Sequence, residues 1–295
     1  MTSQSFNRRG ASSRPCRRCL TVLSLAVLVS LASLPSAGAR EPVIAPQPGE
    51  NPVAPQITWH TTDRWPNLSP ISFRLNELPG QSFLLIFPEW LTSRQQSWHV
   101  RPTWKREGSC ATAEWTTEEV RLQLTLKFSR RRNIRELAWA CSVRNLTEAA
   151  LDDVSIFNCF NLVDAPLFQD LTMERTWVGD GAEHRVSLAE VARVQAPRTI
   201  QFYPARGGLT LPKFERFSRY RANSPQELRG DRIGVVSRDG KWAVESVVAG
   251  QVAYFFNNWE ADHGCVHAAP LLGKIAVGKQ ATATGRLVFR QLPAE

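Results

Sequence analysis

The segment VRLQLTLKF, residues 120–128, decides the fold class of this chain. Apolar residues occupy every second position from Val120 to Phe128, and polar or charged residues occupy the positions between them. Successive side chains of a β-strand point to opposite faces of the sheet. The alternation therefore predicts a strand with one face packed on a core and the other face in water.

Alternation of this kind recurs on both sides of the segment. After a predicted turn at 129–133, residues 137–143 and 154–163 are predicted to continue an antiparallel meander. Further strands are predicted at 82–87, 97–104, 171–178, 184–194, 233–237, 241–249, 251–256 and 281–291. Many short strands with turns between them predict an all-β fold, an enlarged antiparallel β-sandwich that forms one domain over residues 57–295.

The N-terminal region has the pattern of a secretory signal peptide. Residues 1–39 combine five arginines with an apolar run from Leu20 to Leu34 and the small residues Ala37-Gly38-Ala39. Cleavage is predicted near Ala39, with export to the periplasm or the extracellular space. The apolar run is too short for a stable membrane span. Residues 40–56 are rich in proline and are predicted to form a disordered linker.

Charge argues against a nucleic-acid partner. Loss of the predicted signal peptide lowers the net charge from +9 to +4, because that segment carries five arginines and no acidic residue. A basic cluster surrounds the first predicted turn: Lys127, Arg130, Arg131, Arg132 and Arg135. It is interpreted as a solvated loop that blunts a sheet edge, and the alternative is a surface for an anionic polysaccharide.

Four cysteines remain after signal-peptide cleavage: Cys110, Cys141, Cys159 and Cys265. An oxidising compartment permits disulfides. Cys141 and Cys159 lie on two successive predicted strands, symmetrically about position 150, so this pair is the disulfide candidate. Buried free thiols are the alternative.

The stretch NNWEADHGCVHAAP, residues 257–270, concentrates the chemically capable side chains. If residues 263–267 are extended, His263, Cys265 and His267 point to one face. Side chains arranged in this way could bind a soft or borderline metal ion. Alternatively, one histidine could act as a general acid or base, or all three side chains could have a purely structural role. A metal site usually draws donors from a second segment, and none is recognisable in the sequence, so no metal and no cofactor is predicted.

Two groups of short motifs carry a family resemblance. The first comprises residues 143–147, 151–154 and 157–159, and the second comprises residues 258–259, 265–270, 278–280 and 284–289. Together they resemble a group of secreted bacterial proteins whose fold looks like the galactose mutarotase-like supersandwich. The resemblance implies a carbohydrate context and a histidine acid with a glutamate base. Only Cys265 and His267 match the family's pattern, and no glutamate of this sequence matches the base.

The predicted function is therefore a carbohydrate-associated protein, either sugar-binding or mutarotase-like. The residues predicted to do chemistry are His267, His263, Glu260 and Asp262, with His267 as acid or base and a carboxylate as its partner. The residues predicted to contact a sugar are Trp259, Asn258, Trp65 and Trp90. The alternative function is a non-catalytic envelope or interaction protein.

Overall fold

The computed structural model describes residues 57–181, 184–192, 199–209, 224–260 and 262–293. The predicted signal peptide at 1–39 and the predicted linker at 40–56 lie outside the described residues. Within the described ranges, no helix is long and apolar enough to cross a membrane. A short 3-10 helix spans Pro66–Leu68.

Two sheets make up the described fold, and the strands are numbered along the chain. Sheet A has eight strands: β1 (Ile57–His60), β2 (Ile71–Leu75), β3 (Phe83–Thr92), β4 (Ser97–His99), β9 (Leu151–Asn161), β12 (Thr199–Pro204), β15 (Val252–Glu260) and β16 (His263–Ile275). Sheet B has nine strands: β5 (Thr103–Glu107), β6 (Cys110–Thr116), β7 (Val120–Arg131), β8 (Ile134–Asn145), β10 (Thr176–Gly179), β11 (Arg185–Ser187), β13 (Arg232–Val236), β14 (Trp242–Ala249) and β17 (Gln280–Gln291). The predicted all-β antiparallel sandwich is confirmed.

Strand order shows how the two layers are built. Sheet A runs β1-β2-β3-β9-β16-β15-β12, with β4 paired to β3. Sheet B runs β11-β10-β13-β14-β17-β8-β7-β6-β5. The long neighbours β7 and β8 pair from Val120↔Asn145 to Arg131↔Ile134. Along residues 120–128 every apolar side chain is buried and every polar one is exposed, as the alternation predicted.

The main core lies between the two sheets. Alternate residues of the long strands of both sheets point into it. Aromatic rings join the layers at its centre, where Phe289 of β17 packs edge-on against Phe83 of β3 with ring centroids 4.8 Å apart. Phe83 in turn stacks on Phe160 of β9 at 6.1 Å. Edge-on and offset ring pairs add to the free energy gained by burial of apolar surface.

The predicted meander is wrong at its third strand. β8 belongs to sheet B and β9 to sheet A, so the chain crosses between layers after Asn145. The buried amide of Asn145 donates to the carbonyl of Ala149 at 2.8 Å and to that of Ile275 at 3.0 Å. Because Ile275 belongs to β16, the side chain that closes this turn also ties it to sheet A.

This crossing also rules out the predicted disulfide. Cys141 lies in the core between the sheets, whereas Cys159 lies in a second apolar cluster whose strand residues all come from sheet A. That second cluster covers the face of sheet A that points away from sheet B. The backbone of sheet A therefore separates the two sulfurs, and both are free thiols.

Gly285 of β17 lets Trp139 lie flat across the neighbouring strand. Its Cα is paired with that of Trp139, and a methyl group at Gly285 would lie 2.2 Å from Cζ2 of that ring and 2.2 Å from the carbonyl oxygen of Val247. We expect Gly285→Ala to lower the free energy of unfolding by about 1–3 kcal/mol. The new methyl group would overlap the backbone carbonyl of Val247, and this carbonyl is held in the sheet and cannot move aside. Denaturant unfolding measures the change, with the exposed Thr284→Ala as control. Equal stabilities of the two variants would contradict this account.

Candidate functional site

A pocket of about 250 Å³ opens on the outer face of sheet A. Its lining comes from β3, β9, β15 and β16, from Trp65 just before the 3-10 helix and from Leu68 at the end of that helix. The volume lies slightly below the range typical of drug-sized ligands, which suits a small ligand. The pocket combines an aromatic and aliphatic wall with carboxylate, amide, imidazole and thiol groups.

Strand register places these groups in two successive rows across the sheet. One row runs Ile86, Cys159, His267, Phe256 across strands β3, β9, β16 and β15. In the next row Cys265 lies between Asn161 on one side and Asn258 on the other. The extended segment predicted at 263–267 is confirmed, because β16 begins at His263 and its alternate residues His263, Cys265 and His267 all line the pocket.

Glu89, which was not predicted from the sequence as a site residue, also lines the pocket. Ile86 of β3 pairs with Cys159 of β9, and Trp90 pairs with Phe157. Between these two pairs β3 advances by four residues and β9 by only two, so β3 bulges. This bulge contains Pro88 and turns Glu89 into the pocket. The signal was present in the sequence, since proline followed by a carboxylate interrupts an otherwise apolar strand.

The environment of Glu89 changes its acidity. Burial raises the pKa of the Glu89 carboxyl from its ordinary 4.5 to about 7, and a hydrogen bond with the side chain of Trp90 opposes the shift only in part. A carboxyl with such a pKa exchanges its proton near neutral pH. It is therefore the pocket group best suited to general acid–base chemistry.

Two predicted sugar-contacting tryptophans are buried, and these predictions are wrong. Trp259 is 1% exposed and packs in the core between the sheets. Strand alternation explains this, because its neighbours Asn258 and Glu260 line the pocket and the residue between them must point the other way. Trp90 is buried and stacks on His99 with ring centroids 4.6 Å apart. Its role at the site is its hydrogen bond to Glu89.

The pocket mouth holds other residues that the sequence pattern predicted. Trp65 is half-buried and stacks on His263 with ring centroids 4.9 Å apart. Nδ1 of His263 lies 3.0 Å from Oδ1 of Asp262, so this carboxylate pairs with His263, whereas a carboxylate partner was predicted for His267. Glu260 is paired with His263 across the hairpin and lines the pocket, whereas the side chain of Asp262 is 76% exposed and does not.

His267 lies at the pocket floor. Its ring stacks on Phe157 with centroids 4.3 Å apart and meets Phe256 edge-on at 4.7 Å. Burial lowers its pKa to about 3, and a backbone contact of Asn158 offsets this only in part, so the ring is neutral at physiological pH. Neither ring nitrogen has a hydrogen-bond partner of normal geometry among the described residues.

Two thiols lie beside this imidazole. The ligand atoms of Cys159, Cys265 and His267 all lie within 4.8 Å of one another, and all three residues are buried. Burial raises the pKa of the Cys159 thiol well above its ordinary range, and its contact with the Cys265 thiol adds to the shift. The amide of Asn161 donates to Sγ of Cys159 at 4.0 Å. β9 thus contributes the donor from a second segment that the sequence did not reveal.

A second group of possible metal donors lies at the mouth. Donor atoms of Glu260, Asp262 and His263 also lie within 4.8 Å of one another. These side chains are half-buried or exposed, and such acidic groups are common on protein surfaces without a metal.

Comparisons with known proteins concern the fold. No protein-family model and no curated protein matches the sequence. The structure is similar to the crystal structure of a "putative aldose 1-epimerase" from Escherichia coli K12, with a TM-score of 0.38 and 11% identity, over 69% of this chain and 79% of that chain. It is also similar to the Slr1438 protein of Synechocystis sp. PCC 6803, with a TM-score of 0.40 and 6% identity, over 76% of this chain and 89% of that one. Both are similarities of fold, at low TM-scores and low sequence identity.

Proposed function

We propose that this is an exported protein that binds a small sugar in the pocket on sheet A and catalyses its anomerisation there. The observation that carries the proposal is the presence of Glu89, His263, Asn258 and Trp65 around one cavity. A small pocket with an aromatic wall and a few convergent polar groups is the usual form of a ligand site.

The polar wall suits a hydroxylated ligand. The carbonyl oxygen of the Asn258 side chain is buried, and it has no hydrogen-bond partner among the described residues. An unpaired buried acceptor is costly unless a ligand or water fills it. A sugar hydroxyl supplies such a donor, while Trp65 at the mouth offers an aromatic face for the apolar side of a sugar ring.

Glu89 is the group proposed to move protons. Ring opening of an aldose needs one group to take the proton of the anomeric hydroxyl and another to give a proton to the ring oxygen. The ionised Glu89 accepts the first proton. His263, whose Nδ1 lies 3.0 Å from Oδ1 of Asp262, is the group proposed to give the second. His267, predicted as the acid or base, is neutral near pH 7 and is assigned no proton transfer here.

We expect Glu89→Gln to slow the anomerisation of a sugar that the protein binds by at least about 100-fold, the range of a lost general acid or base. Trp65→Ala should weaken sugar binding about 10-fold. Polarimetry of a monosaccharide panel measures the rate, and calorimetry measures the affinity. The matched control is Glu114→Gln, an exposed carboxylate on sheet B.

Binding without catalysis would favour the second candidate function, a non-catalytic sugar-binding module. The complete burial of His267 between the rings of Phe157 and Phe256 is the observation that favours this candidate. If wild type, Glu89→Gln and buffer gave equal rates while Trp65→Ala lost affinity, the catalytic proposal would be wrong and the binding proposal would stand. If no sugar of the panel bound, both would be wrong.

A further inference from the structure

Three soft or borderline donors meet on one face of sheet A. Cys265 and His267 are two residues apart on β16 and therefore share a face. Cys265 of β16 pairs with Asn161 of β9, and Val266 pairs with Phe160. Continued by one residue, this register sets His267 opposite Cys159. Their ligand atoms lie within 4.8 Å of one another, which is close enough for one ion to reach all three after small side-chain rotations.

The imidazole in this cluster needs a partner. His267 is 0% exposed, and within the described part of the chain neither of its nitrogens has a hydrogen-bond partner of normal geometry, although the backbone of Asn158 lies near the ring. Burial of a polar group without a partner costs free energy, and native proteins rarely leave one so. Phe157 and Phe256 hold the ring by its face and edge, which fixes its orientation and contributes no polar atom.

We propose that Cys159, Cys265 and His267 bind a zinc ion at the floor of the pocket. Thiolates select soft or borderline ions, chiefly copper(I) and zinc. Two thiolates neutralise a divalent cation, whereas copper(I) would leave a net negative charge in an apolar site that also faces Glu89. Each thiol releases its proton to solvent as its sulfur–zinc bond forms, the neutral imidazole gives its lone pair, and no oxidation state changes.

Three protein ligands leave one coordination position, and all three residues line the cavity. Two cysteines, one histidine and an open position are a known ligand set of catalytic zinc, in contrast to structural sites with four protein ligands. The inference goes beyond the proposed sugar site, which uses Trp65, Asn258, Glu89 and His263. Either proposal can fail without the other.

The test is titration of the full chain, in its reduced and metal-free form, with zinc chloride. We expect one zinc per chain, with proton release measured in buffers of different ionisation enthalpy. Cobalt(II) should give intense thiolate-to-metal absorption in the near ultraviolet. Cys159→Ser and His267→Gln should each weaken zinc binding at least about 100-fold, since loss of a direct ligand costs no less than loss of an outer-shell partner. Cys110→Ser, whose half-buried thiol lies on sheet B, is the matched control and should bind as wild type does.

Three outcomes would overturn the inference. The first is that the wild-type protein binds no stoichiometric zinc, the second is that the cobalt-loaded protein lacks thiolate absorption, and the third is that Cys159→Ser leaves the zinc affinity unchanged. Preference for copper(I) over zinc would refute the choice of metal, and a Cys159–Cys265 disulfide in protein recovered from its native compartment would refute the site. The wild-type cobalt spectrum remains decisive even if a variant fails to fold. Sugar binding is measured separately in the presence of a chelator, so that its failure is distinguishable.

Discussion

Replacing Trp259 by alanine is expected to lower the free energy of unfolding by about 3–5 kcal/mol. Trp259 is among the largest fully buried side chains described, and it packs in the core between the sheets. The resulting cavity cannot close, because β15 is held on both sides by the hydrogen-bond ladders of β12 and β16. Chemical denaturation followed by circular dichroism measures the change.

The contrasting variant is Trp65→Ala. Trp65 lies half-buried at the pocket mouth, so its loss should cost less than about 1 kcal/mol of stability. The effects on sugar affinity should be the reverse. Trp65→Ala should bind the sugar more weakly, and Trp259→Ala should bind it about as well as wild type at temperatures where the variant remains folded. Similar losses of stability in the two variants would contradict the placement of Trp259 in the core.

Glu89→Gln is expected to remove a pH dependence from the stability of the metal-free protein. Burial raises the Glu89 pKa from 4.5 to about 7, so between these pH values the folded state holds a proton that the unfolded state has lost. Wild-type stability should therefore fall as pH rises from about 4.5 to 7 and level off above. The full shift corresponds to about 3 kcal/mol, and partial exposure of the side chain reduces the expectation to about 2 kcal/mol.

Glutamine cannot ionise, so the variant should gain about 2 kcal/mol relative to wild type between pH 5 and pH 8. Denaturant unfolding at both pH values, with a chelator present, measures this difference. The substitution also alters the hydrogen bond with Trp90. That effect is the same at both pH values, so it drops out when the stability changes at pH 5 and pH 8 are subtracted. Glu114→Gln, an exposed carboxylate, should show no such trend. Parallel pH profiles for wild type and Glu89→Gln would refute the raised pKa of Glu89 in the folded state.

Local patterns in the sequence predicted the faces of strands well. The burial of alternate residues in 120–128 and the shared face of His263, Cys265 and His267 follow from the two-residue period alone. Counted back from His263, the same period would place Trp259 on the pocket face. The hairpin between β15 and β16 shifts the count by one residue, so Asn258 and Glu260 face the pocket and Trp259 faces the core.

The basic cluster near the β7–β8 turn shows where local patterns fail. Arg135 is 4% exposed, and its Nε donates to Oε1 of Glu77 at 2.9 Å. It therefore lies against another segment of the chain, which departs from the interpretation of the cluster as a solvated loop. Arg130 lies 3.7 Å from the same carboxylate. The partner residue is distant in sequence, so the pattern of charges around the turn could not reveal it.

By itself, the sequence determined that the chain is all-β and which side chains of each long strand share a face, because alternation is a property of a strand's own backbone. Only the tertiary structure decided which strands are neighbours. It carried the chain from sheet B to sheet A after Asn145, and it brought Cys159 and Glu89 to the segment that begins at His263. Lateral strand order depends on how whole sheets bury their apolar faces together, and no short segment contains that information.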